Sequence, residues 1–184
     1  DEEIKEKFGD LLKEAEQGKG FGWLHTKDSY VAYIILLDQF SRHIYRGNGD
    51  SFKNDIGVMI FTDLGFELYR EQLKGYEFMF AFMPYMHTEN LNYQQKGARY
   101  FGIQQRLYSQ QGGRDLSGSS FPPEKTNNDK ELEMLKQMEP HQQGHLEVIG
   151  VFERFPKRNE ALGRKSTDRE IRYMEQPEVK KRPY

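Results

Sequence analysis

Apolar positions along this chain recur at the three- and four-residue spacing of helices rather than in the alternation of strands. Ile4, Phe8, Leu11, Leu12 and Ala15 share one face of a first helix, with acids and lysines between them and Gly18 as the stop. Phe21, Trp23 and Leu24 then fall in a glycine-rich turn and are expected to tuck back against that helix, since an indole gains by leaving water. From Asp28 to Arg46 the pattern is apolar on two faces. Tyr33, Leu36, Phe40 and Ile44 form one; Val31, Ile34, Ile35 and Tyr45 form the other, together with Asp38, Arg42 and Arg46. A helix of that kind is central, and charges continuing its buried stripe need partners.

Asp50 or Ser51 can cap a third helix through Phe52, Ile56, Met59 and Ile60 that ends near Gly65, and residues 66–74 add a short one. The apolar run YEFMFAFMPYMH after Gly75 is read as a short helix stopped by Pro84, because no second strand-like run exists to satisfy a lone strand's backbone. Thr88 reads as the N-cap of a helix reaching about Tyr108. Residues 110–129, with glycine, serine, two prolines and no periodicity, read as a surface loop. Helical spacing resumes at Lys130, is expected to kink or divide at Pro140, and continues through His145, Val148, Ile149 and Phe152. Thr167 and Glu170 have capping-box spacing for a last helix, after which residues 177–184 are expected to fray. About seven helices with short links predict an all-α single domain of antiparallel helices over residues 1–176, with 110–129 as a flexible insertion.

Composition narrows the function classes. The 184 residues are 36% hydrophobic and 30% charged, with a net charge of -2 and both signs interspersed, which offers no broad field for nucleic acid or an anionic membrane. No apolar run is long enough to span a bilayer, so no membrane insertion is expected. The absence of cysteine removes disulfides, thiolate metal sites and thiol nucleophiles, and suits a reducing compartment. A cytoplasmic location is therefore expected; an organelle matrix after leader removal is the alternative, because the chain begins at Asp1.

Neither a phosphate-binding glycine loop, a dinucleotide fingerprint, a nucleophile elbow nor a paired-histidine zinc motif is present, and no cofactor is expected. His141 and His145 lie four apart near Glu147, but Pro140 distorts the turn, and His145, aligned with Ile149 and Phe152, reads as a core histidine held by one hydrogen bond rather than as a metal ligand. His87 and Glu89 form a second candidate, able to act as an acid–base pair or to organise a helix start. The densest polar stretch is FERFPKRNEALGRKSTDRE, 152–170. There Arg154, Arg158 and Arg164, with Asn159 among them, offer planar donor forks to a carboxylate or phosphate, or tie the turn to carboxylates such as Asp38 and Glu89.

Three motifs, LLDQFSRHIYRG (36–47), MPYMHTENL (83–91), and His145 followed by RFPKRN (154–159) and LGRKST (162–167), resemble in order and spacing the bacterial DUF924 family, whose function is uncharacterised. The resemblance runs from Ile4 to about Tyr173 and implies an all-helical fold grouped with tetratricopeptide-like α-α superhelices. The family's polar signature falls on Asp38, Gln39, Arg42, Arg46, His87, Glu89, His145, Arg154, Arg158, Asn159, Gly163, Arg164 and Thr167. Departures are Ser41 for proline, His43 for asparagine, Thr88 for serine, Glu153 for glycine and Lys157 for histidine; the last removes an imidazole that a catalytic site would use.

Three functions remain open at this point. One is a helical binding or scaffold module in which Arg42, Arg46, His87, Arg158 and Arg164, with Asp38, Arg154 and Asn159 nearby, hold a small anionic molecule or a peptide carboxylate. Another is a hydrolase with His87 or His145 as base, Glu89 orienting it and arginines stabilising negative charge. The third is a structural subunit of a larger, organellar or other, assembly.

Overall fold

Residues 1–111 and 127–180 are described by a computed structural model, and among them the regular structure is entirely helical. After α1 (Glu2–Glu16), the aromatic turn Phe21–His25 leads into α2 (Lys27–Ile34), which opens on a capping box between Thr26 and Ser29. Backbone angles stay helical through a π turn, Ile35–Phe40, into α3 (Ser41–Ile44). Next come α4 (Gly57–Tyr69), α5 (Tyr76–His87), α6 (Leu91–Gln111), α7 (Asn127–Phe152), α8 (Asp168–Met174) and α9 (Pro177–Lys180).

Several boundaries differ from those expected. Gly65 does not end α4: the ring of Tyr30 packs so close that a Cβ on Gly65 would lie 2.0 Å from it, so this glycine serves close approach. Pro84 does not stop α5 either, because buried Phe82, Tyr85 and Met86 hold the turns around the lost donor. Pro140 likewise lies inside α7 without dividing it. The start of α6 is capped by Asn90, whose Oδ1 accepts from the amides of Asn92 (3.0 Å) and Tyr93 (3.3 Å), while Thr88 Oγ1 accepts from Asn90 one turn earlier. Of the expected loop 110–129, residues 112–126 lie outside the described residues, and its two ends belong to α6 and α7. The tail expected to fray from 177 is helical to Lys180, with Val179 buried and its carbonyl accepting from Lys157 Nζ at 2.6 Å; residues 181–184 lie outside the described residues.

α5 and α6 run antiparallel, with Phe82 against Phe101 and Gln94 Nε2 donating to the carbonyls of Met86 and Thr88. α7 returns along α6, as the Gln105–Glu139 bond marks. The main core is aromatic, built on Tyr30, Tyr33, Phe66, Phe78, Phe82 and Tyr85 with Leu12, Ile34 and Leu135. A smaller cluster of Val148, Ile149 and Phe155 is covered by Phe152 and Tyr173. One face of α4 and its approach, Ile56, Ile60, Leu64 and Leu68, stays exposed. No helix among the described residues is long and apolar enough to cross a membrane.

Candidate functional site

The two apolar clusters meet at a set of buried charges that the central helix begins. Asp38 sits in the π turn with its side chain fully enclosed. Both its oxygens lie within reach of His87 Nδ1, at 2.8 and 2.9 Å, and Arg42 Nη2 donates to Oδ1 at 3.1 Å. Burial by itself would raise this carboxyl, but His87 and Arg42 outweigh it and hold Asp38 well below the usual carboxylate range. An ionised carboxylate only accepts, so His87 carries a proton on Nδ1 and donates it to Asp38.

A second carboxylate that sequence reasoning missed completes the cluster. Asp55, in the turn before α4, accepts from Arg42 Nη2 at 2.7 Å and Arg158 Nη1 at 2.6 Å. Burial pushes its carboxyl upward against the pull of the two guanidiniums. Arg158 also donates to the His87 carbonyl at 2.9 Å, and its guanidinium lies between the rings of Phe52 and Phe155, each centroid 4.4 Å away. Asp38, Arg42, Asp55 and Arg158 therefore alternate in sign along one chain of bonds. The indication available in the sequence was a surplus of arginine forks over recognised acidic partners.

The bonds of Glu89 run to the segment after α7, while His87 Nδ1 faces Asp38. Glu89 accepts the Phe155 amide at 2.8 Å and a bidentate pair from Arg164 at 2.7 and 2.9 Å, which together outweigh burial and lower its carboxyl. Arg154 makes the equivalent fork to Glu170, at 2.6 and 2.8 Å, inside the capping box with Thr167. Asn159 Nδ2 donates to Ser166 Oγ. These three residues, with Gly163 in a left-handed turn, fix the segment after α7. Arg46, largely exposed, is bonded to Asp1 and His43.

His145 donates from Nδ1 to the His141 carbonyl at 2.6 Å and stacks edge-on to Phe155, its ring centroid 6.3 Å from that of His87. Burial pulls its imidazole down to about 4, so it is neutral at physiological pH. Beside these residues is a cavity of about 490 Å³ lined by Arg42, Arg46, Arg158, His87, His141 and His145, with Phe52, Met83, Met86, Phe155, Gly47 and Ser51. Asp38 and Asp55 stand behind the guanidiniums rather than in its wall. A neighbouring cavity of about 630 Å³ shares Phe52 and Arg158, but Asp50, Asp55 and Glu89 line it together with Lys53. Among the described residues no three acidic or histidine side chains are grouped to hold a metal ion. Lys157, which stands where the family motif has histidine, is bonded to α9 and does not line the arginine-rich cavity.

Fold and site together define an all-helical protein with an enclosed network of alternating arginine and carboxylate beside a histidine-bearing cavity. The DUF924 family profile, described as a bacterial protein of unknown function, matches residues 1–178, and the chain belongs to that family. A solved structure of a protein of unknown function, ATU0120 from Agrobacterium tumefaciens, is similar to it, with 26% identity, a TM-score of 0.67, and coverage of 93% of this chain and 81% of that one. Among curated proteins none matches.

Proposed function

We propose that the cavity beside His87 binds a small anionic ligand or a peptide carboxylate. One observation carries this reading: its wall presents three guanidiniums and three imidazoles and, among the described residues, no carboxylate. Arg42 is held in that wall through Nη2, which donates to both Asp38 and Asp55. The acids behind the wall fix the donor forks before a ligand arrives, which lowers the entropy lost on binding. Thermal unfolding in phosphate, sulfate or acetate, against sodium chloride at matched ionic strength, tests it. At least one anion is expected to raise Tm, and Arg46→Gln, an exposed change, to reduce the rise. If no anion shifts Tm beyond the chloride control, the reading fails.

A second reading adds proton transfer at the same place. Asp38 and His87 hold the orientation that a general base needs, with Nδ1–H on the carboxylate and Nε2 as the remaining ring nitrogen of a side chain that lines the cavity. In this reading Asp38, rather than Glu89, is the orienting carboxylate, and the arginines hold the ligand's charge.

A further inference from the structure

We infer that the ligand is an organic monoanion, an aromatic or branched-chain carboxylate, with its charged group at Arg42 and Arg46 and its apolar body against Phe52, Met83, Met86 and Phe155. This rests on the anion-site reading above and goes beyond it in three respects.

The first is size. At about 490 Å³ the cavity falls in the range of small-organic-ligand sites, roughly 300–1,000 Å³, and holds far more space than an inorganic ion fills.

Charge is the second. Asp38 and Asp55 already balance Arg42 and Arg158, and both Arg158 nitrogens that form bonds are taken by Asp55 and the His87 carbonyl. Arg46 is paired as well, with Asp1, but that carboxylate is exposed to solvent while Asp38 and Asp55 are buried, so one guanidinium can exchange its partner for a ligand and the wall matches one negative charge better than two.

Third is the chemistry of the rest of the lining. Met83 stands one turn before His87 on the same face of α5, and Met86 is adjacent to it; thioethers adapt to flat apolar surfaces and favour aromatic edges. Phe52 lies under both Arg42 and Arg158, and Phe155 lies between Arg158 and His145. Apolar faces and donor forks are therefore adjacent within one space, and a ligand filling it has to be amphipathic.

Isothermal titration of the full chain at neutral pH with acetate, inorganic phosphate and phenylacetate tests the inference. Phenylacetate is expected to bind at least tenfold more tightly than acetate, with phosphate no tighter than acetate. Met83→Ala is expected to weaken phenylacetate several-fold while leaving acetate unchanged, whereas Arg46→Gln weakens both by the same factor. Phosphate binding as tightly as phenylacetate, or equal phenylacetate affinity in Met83→Ala, would overturn the organic-anion inference while the anion site stands. Absence of binding by all three removes both.

Discussion

At the scale of single residues, two side chains stand in environments that oppose them. Glu153 adopts φ 58 immediately after α7, a left-handed conformation that crowds a Cβ against the backbone. The family motif has glycine there, and Glu153→Gly is expected to stabilise the protein by about 1 kcal/mol, with lost left-handed strain exceeding the added chain entropy. Urea unfolding of the two proteins checks it. His145 is the other: its folded value of about 4 lies below the roughly 6.5 of an unfolded histidine. Between those values the unfolded chain binds the proton and the folded one does not, so stability is full above pH 6.5 and falls as the pH drops towards 4. The loss is on the order of 3 kcal/mol for this group. Asp38 and Glu89, held low in the fold, lose their contribution only at more acidic pH, as protons reach their folded values. Unfolding measured at pH 7 and pH 4.5 is expected to show a clearly smaller difference for His145→Leu than for the wild type.

At the scale of elements, the apolar pattern was a good guide to helices and a poor one to their ends. α1 and the central helix were legible because each apolar stripe keeps one helical phase, and that phase also placed Asp38 and Arg42 inside. Gly65 and Pro84 read as stops because local propensity opposes a helix at both, yet tertiary packing carries the helix through each. Gly65→Ala tests this for α4. Helix propensity alone would make the change stabilising by roughly 1 kcal/mol, whereas collision with the Tyr30 ring is expected to make it destabilising by about 2 kcal/mol. Chemical denaturation gives the sign directly. The π turn at Ile35–Phe40 had no signature in the periodicity. Ser41, following it where the family motif has proline, donates from Oγ to the Leu37 carbonyl at 2.6 Å.

At the scale of the whole molecule, the site is assembled from partners far apart in the chain. Asp38 meets His87 across 49 positions, and Asp55 meets Arg158 across 103. Spacing could nominate His87, Arg42 and Arg158 but not their pairing: α5 ends at His87, and Glu89, two residues on, turns to Phe155 and Arg164 instead. Asp55 was missed because the helix expected from Asp50 or Ser51 ran through it, whereas that helix begins only at Gly57 and Asp55 lies in the turn before it. The same pairing puts Asp38 and Asp55 behind Arg42 and Arg158 and leaves the cavity wall lined by arginine and histidine. Anomalous scattering from crystals soaked in sodium bromide shows whether an anion settles there. The strongest bromide peak is expected in the cavity, within hydrogen-bonding distance of Arg42 or Arg46. Strong peaks elsewhere on the protein with none in that cavity would contradict the anion-site reading.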